Sequence, residues 1–159
     1  MNNRTIMFVD EFDRETVHKA IYFMERIEKQ DDIDNIPMEE RKPIKIILSS
    51  FGGTCYDYLA WVSVVERLVD RGYKIHTHCE SIAMSCGIMQ LMIGTHRTMA
   101  RHGYVMLHLI STGAYGTVQD MKESQEHTEH MWNKFKQIVM KYTKITDEQL
   151  EDMRMRKLD

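Results

Sequence analysis

Ser85, within Ser81-Ile82-Ala83-Met84-Ser85-Cys86-Gly87, and His108, closing Tyr104-Val105-Met106-Leu107-His108, are the two side chains whose types could support nucleophilic catalysis. A serine hydroxyl attacks a carbonyl only when a base takes its proton, and imidazole suits that task. The tetrahedral species that follows needs N–H donors for its oxyanion, commonly two. Gly52-Gly53 could supply one, because adjacent glycines let the backbone approach a ligand and turn its N–H groups outward. A helix opening at Ser85 would supply the N–H of Cys86 as the other. Each feature alone has a plainer reading: a turn, an N-cap serine, a structural histidine. Together, at three neighbouring strand ends, they are harder to dismiss.

The elements that must carry these residues alternate in type. Residues 5–9 form a short apolar, β-prone run, and Asp13 is placed to cap a helix whose Val17, Ala20, Ile21, Met24 and Ile27 recur at helical spacing. Residues 29–42, highly charged and punctuated by Pro37, read as an exposed loop ending at Pro43. A second strand over 44–48 leads into Ser49-Ser50-Phe51-Gly52-Gly53-Thr54. A helix over 56–70 follows, with Leu59, Val62, Val65, Leu68 and Val69 inward and Gly72 at its end. Residues 73–79 predict a third strand, a helix runs from about Ser85 to Gly94, and 98–100 and 104–107 predict short strands. A loop with Gly113 and Gly116 precedes a long helix over 117–142, striped by Val118, Met121, Met131, Phe135, Ile138, Val139 and Tyr142. Thr146 caps a last helical segment. Strands alternating with helices argue for βαβ units around a mainly parallel, buried sheet, an α/β fold whose chemistry gathers at the C-terminal strand ends.

Composition narrows the function. With 159 residues, 43% hydrophobic and 28% charged, the chain predicts one globular domain over 1–159. A formal charge of −3 with interspersed signs gives no basic face for nucleic acid. The Gly52-Gly53 turn lacks the further glycines and lysine of a phosphate cradle. Cys55, Cys79 and Cys86 are odd in number and lack metal-ligand spacing, which fits a reducing compartment. No apolar leader or membrane span is evident, so a cytoplasmic protein without a membrane partner is expected. The fourteen methionines read as core filler. His76 and His78 share a strand face but have no third ligand at suitable spacing, and His127 and His130 read as a solvated helix face. No metal or cofactor is expected.

The ordered set resembles the Clp protease proteolytic subunit family. Gly52-Gly53-Thr54 is similar to that family's Ser-Pro-Gly-Gly-Ser loop, with Phe51 where proline is usual. Ile82-Ala83-Met84-Ser85-Cys86-Gly87 resembles its Gln-Ala-Ala-Ser-Met-Gly, and Val105-Met106-Leu107-His108 its Val-Met-Ile-His. Gly116 and Asp120 stand where the family has a Gly and an Asp, at the start of its long handle helix. The resemblance extends from about Ile6 to Leu150 and implies a spiral of βαβ units shared with crotonase-like folds. It implies a serine endopeptidase with Ser85 as nucleophile, His108 as base, and the N–H groups of Gly53 and Cys86 as oxyanion hole.

It further implies peptide or unfolded-protein substrates, and self-association into heptameric rings that stack as a tetradecamer. An ATP-driven (AAA+) unfoldase would feed the chamber, and the subunit itself would need no metal or nucleotide. Counting without gaps sets Lys157 at the family's aspartate. A short insertion brings Asp159 into register as the third triad member, with Asp152 as second choice. The family's last strand and helix are not reached, so the C-terminal end of its domain is expected to be missing. The alternative reading is a catalytically silent ring subunit with a structural role. An acyl-CoA enzyme of the crotonase type ranks last, because it does not require serine and histidine at these strand ends.

Overall fold

The strands are β1 (Thr5–Phe8), β2 (Ile44–Ser50), β3 (Ile75–Met84), β4 (His96–Met99) and β5 (Tyr104–Met106). They were obtained from a computed structural model that describes residues 4–108, 110 and 115–156. The helices are α1 (Arg14–Ile33), α2 (Cys55–Asp70), α3 (Cys86–Met92), α4 (Val118–Tyr142) and α5 (Asp147–Arg156). The chain divides into two compact units, Met1–Leu107 and His108–Asp159.

In the first unit every strand pairing is parallel, in the order β1-β2-β3-β4, with β5 also on β3. The N-terminal half of β3 pairs with β4 and its last residues, Ile82–Met84, pair with β5. Consecutive parallel strands need a crossover, and α1, α2 and α3 supply three of them. The α/β class and parallel sheet expected from the alternating pattern are what the chain adopts.

Period-two alternation sends Ile6, Phe8, Ile44, Ile46, Leu48 and Ile75 to one buried face. Helix α1 covers it with Val17, Ala20, Ile21 and Met24, and Asp13 caps that helix by accepting from the Thr16 N–H at 2.7 Å. Helix α2 buries Tyr58, Trp61, Val62, Val65 and Leu68. The expected inner face was displaced toward Leu59 and Val69, which are only partly buried, because the two aromatic residues take the deepest positions.

Several boundaries differ from the sequence reading; β2 runs on to Ser50 and β4 spans His96–Met99. Helix α1 runs to Ile33, into the segment read as loop, and a short 3-10 turn spans Met38–Glu40. Part of the charge in and beside this stretch is paired, Asp32 with Arg41 at 2.7 Å among it. Asp31, with a side chain 1% exposed, receives two hydrogen bonds from Arg4 Nη1 at 2.7 and 2.9 Å and one from Tyr73 Oη at 3.0 Å. Glu28 accepts from Arg67 at 2.8 Å and from Arg71 at 2.5 Å, tying α1 to the end of α2. Burial and the Asp31 carboxylate push the Tyr73 phenol up to about 12, so it stays a donor. Strand β3 continues to Met84, beyond the expected end at Cys79.

The sheet also differs from the expectation of burial on both faces. Met7 is 59% exposed, and the row Lys45, His76 and His96, in register across β2, β3 and β4, lies on the face away from the buried aliphatic residues. The His76 and His96 rings are 5.0 Å apart, and burial first, then His96 and two lysines, lower the pKa of His76. Every residue of β4 is exposed.

The second unit is helical. Thr117 accepts from the Asp120 N–H, while the Asp120 carboxylate accepts from the Thr117 N–H at 2.7 Å, a capping box that starts α4 one residue after Gly116. Met131, Trp132, Phe135 and Val139 are buried along α4, whereas Val118 and Met121, expected in the same stripe, are exposed. Thr146 and Gln149 form a second reciprocal cap at the start of α5, as the sequence suggested for Thr146. Gly113 lies outside the described residues.

Removing the Asp31 carboxylate would leave a nearly buried guanidinium without its counter-ion. Asp31→Ala is expected to lower stability in urea denaturation by about 3 kcal/mol or more. Replacing both partners, as Arg4→Met with Asp31→Leu, should recover most of that loss.

Candidate active site

The site begins at a break in the β2–β3 register. Leu48 pairs with Cys79, but Ser50 pairs with Ala83, so β3 bulges relative to β2 over this interval. The bulge carries the last residues of β3 to the turn that follows β2. There the buried Ser50 hydroxyl accepts the Gly52 N–H at 3.1 Å and shapes the turn. Gly52 and Gly53 both have positive φ, 103° and 150°.

Space demands glycine here as much as conformation does. A Cβ on Gly52 would stand 2.5 Å from the Ser85 Cβ and 2.8 Å from the Met84 carbonyl oxygen. A Cβ on Gly53 would collide with the Phe12 backbone. Phe12 clamps the turn from the other side: its N–H donates to Gly52 O at 2.7 Å and its carbonyl accepts from the Thr54 N–H at 2.6 Å. Its ring is fully buried against Phe8, Tyr58 and Trp61. Phe12 was missed in the sequence because a single aromatic between acids, Glu11-Phe12-Asp13, carries no periodicity.

Ser85 sits between β3 and α3 with φ 54° and ψ −123°. This backbone region is disfavoured for any residue with a Cβ and costs of order 1–3 kcal/mol. It also separates Ser85 from an ordinary N-cap, which is extended and uses its hydroxyl to accept from the helix; Ser85 makes no such side-chain cap bond. The plainer reading of this serine therefore fails on geometry. The Ser85 N–H donates to Met106 O at 2.9 Å, fastening the bend to the end of β5. A sharp strand-to-helix turn that holds a serine in a strained conformation is the form of a nucleophile elbow.

The donors expected for an oxyanion hole belong to the same turn pair. Cys86 is the first residue of α3, where a backbone N–H has no intrahelical acceptor. In the Phe12–Gly53 bridge it is Gly52 O and the Thr54 N–H that are engaged, and the Gly53 N–H is not among the bonds that hold it. Gly87 lets the chain pass close to β2, since a Cβ there would approach Ser50 O to 2.9 Å.

His108 follows β5 by two residues and is the first residue of the second unit, with an exposed side chain. Asp152 is an exposed residue of α5. Asp159 and Lys157 lie outside the described residues. His78 is engaged within the sheet, Nδ1 with Thr98 Oγ1 at 2.8 Å and Nε2 with Glu80 at 3.2 Å. Among the described residues no group of three or more His, Cys, Asp or Glu side chains is arranged to hold a metal ion.

The Clp protease family profile matches residues 1–158, essentially the whole chain. The chain belongs to the Clp protease family. Among curated proteins none matches it significantly. The parallel sheet with its crossover helices and the long α4 are the family's fold in this Clp protease relative, and membership makes it a relative of peptidases that bind polypeptide and assemble into rings.

The strain at Ser85 yields a direct measurement. Ser85→Gly removes the Cβ from a left-handed position, so it is expected to stabilise the fold by about 1 kcal/mol, against the usual effect of introducing glycine. Thermal denaturation of the variant beside the parent protein reads this as a raised Tm.

Proposed function

We propose that the chain is a serine endopeptidase that cleaves peptide bonds through an acyl-enzyme inside a ring-shaped chamber. The observation that carries this reading is the Ser85 backbone, held at φ 54° against the Gly52 peptide with its hydroxyl free of capping. In the proposed sequence His108 takes the Ser85 proton as Oγ attacks the scissile carbonyl. The N–H groups of Gly53 and Cys86 receive the oxyanion. His108 then returns the proton to the leaving amine, and water repeats the steps to release the acyl group. Asp159 is the carboxylate proposed to orient His108, in the register that admits a short insertion, and Asp152 is the second choice.

Assembly has its own support. Parallel sheets are normally covered on both faces, yet here Met7 and the β4 strand remain exposed. Val118 and Met121 at the start of α4 are also exposed apolar residues, which suits a handle helix meeting another subunit. The proposal is self-association into heptameric rings, singly or stacked as a tetradecamer, acting on peptides or unfolded polypeptides delivered by an AAA+ unfoldase. Its setting is proposed to be the cytoplasm. Cys55, Cys79 and Cys86 are free thiols, consistent with reducing surroundings, and no helix among the described residues is long and apolar enough to cross a membrane.

A fluorophosphonate probe tests the chemistry. It is expected to label Ser85, identified by peptide mass, and Ser85→Ala should abolish the adduct. His108→Ala should slow labelling by about a hundredfold or more. Asp159→Asn should also slow it strongly and Asp152→Asn should not, which assigns the third member. A folded, assembled protein that takes no label would instead favour the silent ring subunit.

A further inference from the structure

Two cysteine thiols that play no part in the proposed chemistry meet beside the site. Cys55 is the first residue of α2 and Cys86 the first residue of α3, so each immediately follows one of the two turns that form the site. The Cys86 Sγ lies 3.5 Å from Gly53 O and 3.9 Å from Thr54 O, against the peptide that leads into Cys55. The two thiols lie close enough for each to shift the other's acidity, and the Ser85 side chain also acts on the Cys86 thiol. Cys55 is partly exposed while Cys86 is buried, so a small solute reaches the pair from the Cys55 side.

We propose that Cys55 and Cys86 are an oxidation site for hydrogen peroxide, closing reversibly to a disulfide that slows acylation of Ser85. The gating half rests on the peptidase reading given above; the disulfide does not. The chemistry of the two thiols is asymmetric in the required sense. Hydrogen bonding from Cys86 lowers the Cys55 pKa, favouring its thiolate, while the same pairing and burial hold Cys86 protonated. The Cys55 thiolate attacks one peroxide oxygen, the O–O bond breaks, and hydroxide leaves, giving a Cys55 sulfenic acid. The Cys86 sulfur then attacks the Cys55 sulfur, loses its proton and expels hydroxide, which is released as water. Two thiols are oxidised by two electrons in total, one peroxide is reduced, and two waters leave.

The coupling to the nucleophile is mechanical. In the reduced state the Cys86 S–H can donate to Gly53 O, within the residue proposed to supply an oxyanion donor. A disulfide consumes that proton and ties the start of α2 to the start of α3. Both ends of the tie adjoin the turns whose spacing sets the oxyanion hole, and misplacing one such donor costs about a hundredfold or more in rate. Cys79, fully buried in β3 and with its pKa raised chiefly by burial, serves as the internal control.

The test treats the assembled protein with hydrogen peroxide, then maps thiols by alkylation and non-reducing peptide mass spectrometry while fluorophosphonate labelling of Ser85 is timed. The expected result is an intramolecular Cys55–Cys86 peptide with Cys79 still alkylated. Labelling should be about tenfold slower or more and restored by dithiothreitol. Cys55→Ser should label at the parent's rate and be indifferent to peroxide. Absence of the crosslinked peptide, or its appearance only between subunits, overturns the proposal. A disulfide that forms while labelling is unchanged overturns the gating. If reduced Ser85 takes no label, the peptidase reading fails with the gating, and the crosslinked peptide still decides the oxidation site by mass alone.

Discussion

Between the Gly52 Cα and the Ser85 side chain there is no room for a methyl group, and the architecture of the first unit converges on that contact. Two loops from adjacent parallel strands must come within backbone distance while each keeps a conformation that ordinary residues resist. The β3 bulge sets Ser50 opposite Ala83, Ser50 shapes the turn, and Phe12 bolts its far side. The buried aromatic cluster of Phe8, Phe12, Tyr58 and Trp61 makes that bolt rigid, because its rings pack edge and tilt against one another in a core with no solvent access. Loosening any of these partners would let Ser85 relax toward an ordinary cap.

The strain at Ser85 is therefore maintained by surroundings that outweigh it. A cost of order 1–3 kcal/mol is small beside the burial of a single aromatic cluster, but large against the marginal net stability of a domain. The ion pairs at the opposite end of the sheet serve the same scaffold. Asp31 and Glu28 join α1 to Arg4, Tyr73 and the last turn of α2, so the two helices that cover the sheet cannot shift independently. Asp31 and its partners Arg4 and Tyr73 are largely buried, which distinguishes them from exposed surface pairs of little worth, whereas Arg67 and Arg71 reach the buried Glu28 from the surface.

The same turns bring three side chains into one neighbourhood: that of Ser85, whose backbone is strained, and two thiols of unequal acidity. Backbone proximity is the common cause. Closing the Gly52-Gly53 turn onto α3 leaves the first residues of α2 and α3 side by side, so the geometry that presents Ser85 also pairs Cys55 with Cys86. The exposed residues of β4 and the exposed Val118 and Met121 of α4 take no part in that convergence.

Local chemistry was legible in the chain itself. The Asp13 and Thr146 caps, the long α4 helix capped by Thr117, the alternation of the strands and the serine at a strand-to-helix junction all follow from neighbours a few residues apart. So did the ordered set of Gly52-Gly53, Ser85 and His108, because type and order along a chain survive without coordinates. Tertiary structure alone decided the rest. Phe12 bridges to Gly53, Asp31 pairs with Arg4 and Tyr73, β3 extends past a bulge to Met84, and Cys55 meets Cys86. These are contacts between residues distant in sequence, where no periodicity or cap exists to announce them. The positive φ of Ser85 is of the same kind: its own residue type disfavours it, and only the packing of two other loops imposes it.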